Sequence, residues 1–267
     1  PTYLLSKFTR EHVTVALGGD GGDELFAGYD PFLADFWANI YTKLPAFIND
    51  SLVQPLVNKM PVSDNNMSLD FKAKRFLKYV YHDPVYRNQL WLGAFNKEEQ
   101  NSLFLNEINK NIGSFNPLSV LKIPEYDNSQ LALAHHYQKY YLTDDILFKI
   151  DRAGMMVSLE ARTPFLDVEV AEFANSLPTS FKLRNLSRKY ILKKAFKNKL
   201  PHNILYRKKK GFGIPLTKWI KEDLKTEIAR YLSPDFLNKQ GLFNSNYLQM
   251  IFNAHLSGKA DNRKQIW

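Results

Sequence analysis

The sequence predicts an α/β protein in which helix predominates, and three observations carry that expectation. Val13 to Leu17 is a five-residue uncharged run, mostly β-branched. It is too short for a helix and typical of a parallel strand covered on both faces, so a central strand is expected. Gly18, Gly19, Gly21 and Gly22 follow at once, placing a turn at the strand end where open α/β sheets bind ligands. Most of the remaining chain repeats apolar residues at helical spacing.

The turn is also rich in carboxylates. If it runs into a helix, Asp20, Asp23 and Glu24 stand at i, i+3 and i+4 and crowd one corner. A helix N-terminus relieves each acid by about 0.3 to 1 kcal/mol, which like charges at this spacing oppose. A cation, an ammonium ligand or a raised pKa would resolve the crowding. A glycine turn ordinarily holds phosphate, and beside three acids phosphate needs Mg²⁺ between them.

Composition narrows the classes. At 267 residues and 45% apolar content, the chain can bury a large core without a covalent staple. It has no Cys, which excludes disulfides, thiolate metal sites and a cysteine nucleophile. No apolar run approaches the roughly 20 residues of a membrane span, and no signal peptide precedes the strand, so a soluble cytoplasmic protein is expected. The net charge of +9 is unevenly laid out: Lys182 to Lys225 holds fifteen Lys and Arg against Glu222 and Asp223 alone. Such a local positive field suits a polyanion, and nucleic acid, acidic lipid and the phosphates of a nucleotide all qualify.

In chain order, Pro1 to Glu11 reads as a helix with Tyr3, Leu4, Leu5 and Phe8 on one side. Asp30 to about Asn58 reads as helix interrupted at Pro45 and Pro55, and 61–68 as a loop. Leu69 to Tyr81 is a helix with Lys72, Lys74, Arg75 and Lys78 on a solvated face. Leu90 to Asn111 is a further helical stretch. His135 and His136 do not share a helix face and lack HxxxH spacing, so a metal role is not expected. Thr143 is placed as the N-cap of a helix to about Glu160, with Asp145, Lys149 and Arg152 on one face. Thr163 and Pro164 break it, Glu160 and Arg162 flank the break as a buried ion pair, and Asp167 caps Val168 to Ser176. Ser187 caps a helix from Arg188 to Asn198, which puts Lys189 in a first turn where a cation is disfavoured and an anionic partner is suggested. Pro215 opens a helix with Trp219 and Ile220, and Ser233 and Asn244 start two more.

The run GGDGGDELFAGY, residues 18–29, resembles the second signature of the synthetase domain of glutamine-hydrolysing asparagine synthetases, a family related to β-lactam synthetase. The similarity continues in register through LTDDILFKIDRAGMMVSLEARTPFLD, SRKYILKKAF and YRKKKGFGIPLTKWI. It implies an adenine nucleotide α-hydrolase-like (ATP pyrophosphatase) domain, of which residues 1–267 are the C-terminal portion. A cysteine glutaminase domain, an SGGxDS pyrophosphate loop and the parallel neighbours of the first strand are then expected upstream, with the chain inactive by itself.

By the same resemblance the parent adenylates the side-chain carboxylate of aspartate with ATP and amidates it with ammonia from glutamine, and Mg²⁺ screens the anions. Asp20 is the candidate base for ammonia, and Asp20, Glu24 and Lys189 form the catalytic set. Gly18, Gly19, Asp20, Gly21, Lys189, Arg207 and Lys210 would face the nucleotide. Asp23, Glu24, Tyr29, Lys149 and Arg152 would face the substrate, and Asp23 and Glu24 would take the metal. Gly18 departs from the family, where a serine is usual. Alternatives are a related amidotransferase acting on another carboxylate and a basic module that docks nucleic acid or a partner. The synthetase reading involves neither nucleic acid nor membrane, and a homodimeric parent is one candidate assembly.

Overall fold

The computed structural model describes residues 1–65, 67–112, 121–207 and 213–267. The chain forms two compact units, one joining Pro1–Ile40 to Ile123–Phe212 and the other joining Tyr41–Lys122 to Gly213–Trp267. Both are mainly helical, and the described strands form two sheets of two strands each. The expected predominance of helix is therefore found, with few strands among the described residues.

In the first unit, helix Thr2–Arg10 precedes strand β1, Val15–Leu17. β1 pairs in parallel with β2, Glu160–Arg162, with Val15 opposite Glu160 and Leu17 opposite Arg162. Backbone bonds from Glu160 N–H to Thr14 O (2.9 Å) and from Gly18 N–H to Arg162 O (2.7 Å) extend the ladder. A parallel neighbour of β1 thus lies inside the chain, contrary to the expectation that all are upstream. β1 is also not covered on both faces: Val15 is 38% and Leu17 73% exposed. Periodicity identifies an apolar strand but carries no information on what covers it.

The helix expected to start at Thr143 starts earlier. Ser129–His136 runs into a π-helical stretch, Tyr137–Leu147, and on into Phe148–Met155. The Thr143 hydroxyl donates back to Lys139 O at 2.6 Å, the bond of a Thr inside a helix and not of a cap. Beyond the break, Glu160 and Arg162 pair at 2.7 Å but are 57% and 64% exposed, so this is a solvated pair of small energetic weight and not a buried corner. Asp167 caps Val168–Ser176 as expected, accepting from Glu169 N–H at 3.0 Å. Ser187 does not cap a helix. Ser187–Arg188 is strand β4, antiparallel to β3, Leu183–Arg184, and the helix that follows is the short Tyr190–Ala195.

Two apolar clusters hold this unit. Ala27, Phe32, Leu133 and Tyr137 form one. In the other, Leu25, Phe26 and Ala174 are buried against Phe165, Leu166, Ile191 and Leu192. Both clusters draw on residues just after the glycine turn, so packing on either side fixes that turn.

In the second unit, Leu69–Tyr79, Pro84–Leu92, Lys97–Leu103, Asn106–Ile112, Leu216–Lys221, Pro234–Gln240 and Ser245–Leu256 are helical. Leu103, Leu237, Leu248 and Ile251 form a core. Ser233 and Asn244 cap their helices as expected. Arg75 does not belong to a solvated face: it donates to Trp91 O and Leu90 O at 2.7 Å each and to Gly93 O, closing the C-terminal end of Pro84–Leu92. No described helix is long and apolar enough to cross a membrane.

Candidate active site

The site is built on the turn after β1. Gly21 has φ +86°, and a Cβ there would run into the Leu166 side chain; only glycine accepts both conditions. Gly22–Leu25 is a single helical turn, and its two acids take different partners: Glu24 meets Tyr29 and Asp23 meets Lys189.

Glu24 turns inward and is 2% exposed. Its Oε1 accepts from the Tyr29 hydroxyl at 2.5 Å. The Tyr29 ring stacks on Tyr137 at 4.8 Å and meets Tyr141 edge-on at 5.6 Å. Burial, then the Glu24 carboxylate, pushes the Tyr29 phenol well above its ordinary range, so Tyr29 is a fixed neutral donor at all working pH values. Sequence reasoning missed Tyr137 and Tyr141; the aromatic density of residues 137–141 was its only signal.

Asp23 pairs with Lys189: Oδ1 to Nζ is 2.8 Å, with the side chains 22% and 31% exposed. Lys189 stands at the N-cap of Tyr190–Ala195 with φ +54°, a left-handed conformation. The expectation of a misplaced cation in a first turn is therefore corrected to a cation held beside a carboxylate at a strained N-cap. Gly28 makes the contact possible, because a Cβ there would overlap both the Asp23 carboxylate and Lys189 Cε. Its signal was a glycine interrupting an otherwise helical pattern. Lys189 N–H donates to Phe26 O at 3.2 Å, and Arg188 donates to Gly28 O at 3.1 Å and pairs with Asp30. With the Asp23–Lys189 pair, four contacts thus tie the turn to the Lys189 segment.

Asp20 is half-buried. Burial raises its pKa, its own backbone N–H and the Lys149 charge oppose the shift, and Asp23 adds to it. Its carboxylate curls toward Gly18, where a Cβ would meet Oδ2 at 2.8 Å. Gly18 is thus the seat of Asp20.

Lys149 pairs with Asp145 at 3.9 Å and is exposed. Arg152 lies 4.0 Å from Asp151 and over the Phe148 ring at 5.1 Å. Arg207 is exposed, and Lys210 lies outside the described residues. The basic segment is partly neutralised: besides Lys189 and Arg188, Lys221 pairs with Asp64 at 2.7 Å. Among the described residues no three His, Cys, Asp or Glu groups converge on a metal position. His136 is 3% exposed, and burial lowers its imidazole pKa to about 4.

A profile of the asparagine synthase family matches residues 1–267. The chain is 27% identical over 270 residues to asparagine synthetase [glutamine-hydrolyzing] 1 of Bacillus subtilis (strain 168), covering 100% of this chain and 41% of that protein. It is 26% identical over 275 residues to a putative asparagine synthetase [glutamine-hydrolyzing] of Mycobacterium bovis, covering 100% of this chain and 40% of the relative. It is 24% identical over 263 residues to amidase chyE of Penicillium rubens, covering 89% of this chain and 37% of that protein. The chain therefore spans about two fifths of the length of these relatives.

Proposed function

From the chain's membership of the asparagine synthase family, matched over residues 1–267, we propose that it forms the C-terminal part of a synthetase domain that activates a carboxylate with ATP and amidates it with ammonia. Aspartate is the carboxylate substrate and asparagine, AMP and pyrophosphate are the products. The supporting observation is the Asp23–Lys189 contact at 2.8 Å, which brings the glycine turn and the SRKY segment, two of the motifs resembling the family, to one place.

In the first step a carboxylate oxygen of aspartate attacks the α-phosphorus of ATP, the α,β P–O bond breaks and pyrophosphate leaves. Lys189 neutralises that leaving group. In the second step ammonia attacks the activated acyl carbon, AMP departs and Asp20 takes the proton; a carboxylate whose pKa is raised by burial suits that task. Gly18, Gly19 and Gly21 leave backbone open to the nucleotide, and Arg207 and Lys210 serve its phosphate end. Asp23 and Glu24 hold the substrate ammonium, Tyr29 walls the pocket, and Lys149 or Arg152 meets the α-carboxylate. The ammonia comes from glutamine hydrolysed in another domain of the whole protein, and the upstream part of the synthetase domain completes an adenine nucleotide α-hydrolase-like sheet.

Mg²⁺ fits this donor set as an ion carried by the nucleotide, since it takes one or two carboxylates together with phosphate oxygens and needs no protein cage. Asp23, with Glu24 behind it, is the carboxylate that would reach it. Bound there, the ion would screen the approach of two anions.

The relative named amidase chyE shows that a protein not called an asparagine synthetase is also similar to this chain, and a second reading keeps the same machinery with a different carboxylate. Both readings are tested in the full-length protein by pyrophosphate release with ATP, ammonia and a panel of carboxylates. Aspartate-dependent release abolished by Lys189→Ala is expected. Release that is independent of any carboxylate, or insensitive to Lys189→Ala, would refute the assignment.

A further inference from the structure

The helix that meets the glycine turn carries four residues at four-residue steps, Tyr137, Tyr141, Asp145 and Lys149, across the π-helical stretch Tyr137–Leu147 and the start of Phe148–Met155. Residues at this spacing are neighbours on one face, and every contact along the row is made. The Tyr137 and Tyr141 rings meet at 5.5 Å, the Tyr141 hydroxyl donates to the Asp145 carboxylate, and Asp145 pairs with Lys149 at 3.9 Å. Both ends of the row act on the turn. Tyr137 and Tyr141 hold the ring of Tyr29, whose hydroxyl bonds Glu24, and the Lys149 charge acts on Asp20. π-Helical segments recur at functional sites.

On their own, Asp145 and Lys149 are a solvated pair one helical turn apart, with side chains 51% and 47% exposed, and such pairs carry little energy. Tyr141 sets this one apart. It is half-buried, its ring is edge-on to Tyr29 at 5.6 Å, and its hydroxyl ties Asp145 to the packed side of the helix. Lys149 is the cation paired with that anchor. Arg152 is placed otherwise: its guanidinium lies over the Phe148 ring at 5.1 Å and 4.0 Å from Asp151.

We propose that Tyr141 and Asp145 are positioning residues that hold the Lys149 ammonium where it receives the α-carboxylate of the substrate. The row fixes Lys149 relative to the carboxylates that take the substrate ammonium, because the same Tyr141 ring supports Tyr29 and the same hydroxyl anchors Asp145. This inference rests on the synthetase reading and assigns the α-carboxylate to Lys149 in place of Arg152.

The test is steady-state kinetics of the full-length protein, with aspartate varied and pyrophosphate release measured. Tyr141→Phe keeps the ring against Tyr29 and loses the bond to Asp145, and Asp145→Ala loses the partner of Lys149. Each should raise KM for aspartate about tenfold, the scale of one loosened hydrogen bond to a charged group, with little change in kcat. In a Lys149→Met background, where KM is already raised, neither change should add to it. Asp144→Ala removes an exposed carboxylate one residue away and should leave KM as it is. An unmoved KM in Tyr141→Phe or Asp145→Ala, an additive effect in the Lys149→Met background, or an equal effect of Asp144→Ala would overturn the proposal. A substrate-free measurement separates it from the proposed function: in urea, Tyr141→Phe and Asp145→Ala should each lower the folding constant about threefold and the double variant no further. Additive losses in urea overturn the link whatever the enzyme does, whereas coupling in urea with no aspartate-dependent release in the wild type counts against the proposed function.

Discussion

Lys189 reaches Asp23 over the bare Cα of Gly28, with 2.8 Å between Nζ and Oδ1. Gly28→Ala puts a methyl group into both partners. It should cost about 1 to 3 kcal/mol of stability and lower pyrophosphate release in the whole protein about a hundredfold, the scale of a small misplacement of catalytic groups. Gly19→Ala is the control, since nothing lies within 4 Å of a Cβ there; it should stay within about 0.5 kcal/mol of wild type. Urea unfolding checks both variants, and a pyrophosphate assay checks Gly28→Ala.

Lys189 combines a left-handed φ of +54° with an ion pair that is about a quarter exposed. Replacing it by Ala keeps the backbone strain and loses the pair, while Gly loses the pair and releases the strain. Lys189→Gly should therefore unfold at higher urea than Lys189→Ala, by about 0.5 to 1 kcal/mol, with neither variant releasing pyrophosphate. Equal midpoints for the two would show that the αL strain carries no energy.

The pH dependence has two opposed contributions. Burial lowers the His136 imidazole from 6.5 to about 4. Its contribution is complete above pH 6.5 and is lost as pH falls toward 4, by up to about 3 kcal/mol. Asp20 is raised above 3.8 by burial, so its contribution is complete below that value and is lost as pH rises through the folded pKa. His136→Gln should flatten the acid slope of stability between pH 6.5 and 4. Asp20→Asn should gain stability relative to wild type as pH rises above about 4. Urea titrations at closely spaced pH values check both slopes.

In the second unit, Arg75 closes the carbonyls of Leu90, Trp91 and Gly93. Arg75→Met keeps the stem and removes the donors, leaving backbone acceptors short of partners at a cost of about 2 to 3 kcal/mol. Lys72→Met, an exposed position on the same helix, should change stability by less than about 0.5 kcal/mol. Thermal melting of the two variants side by side tests the difference.

The parts of the fold legible in the sequence are those written locally. The Asp167, Ser233 and Asn244 caps, the helix opened by Pro215, and the glycine turn after an apolar strand each depend on neighbours a few residues away. Errors arose where a distant partner decides the outcome. Thr143 resembles a cap until the upstream helix supplies a carbonyl four residues back. Ser187 resembles one until Leu183–Arg184 offers a strand to pair with. Arg75 belongs to a basic face until the end of another helix needs donors. At the site, Asp20, Asp23, Glu24, Tyr29 and Lys189 were visible as residue types and motifs. Their separate partners were not, because these come from distant segments: Lys189 for Asp23, and Tyr137 and Tyr141 against the Tyr29 that holds Glu24.

The parallel pairing of β1 with β2 also sets a timetable. Val15 meets Glu160, and Asp23 meets Lys189, so the turn emerges from the ribosome long before either partner exists. Closing loops of that length is entropically slow, and parallel pairing over such a separation belongs to the late events of folding. The acidic turn therefore spends the early life of the chain as open backbone with unneutralised charge, and the chemistry becomes available only when the last-made strands and the Lys189 segment arrive.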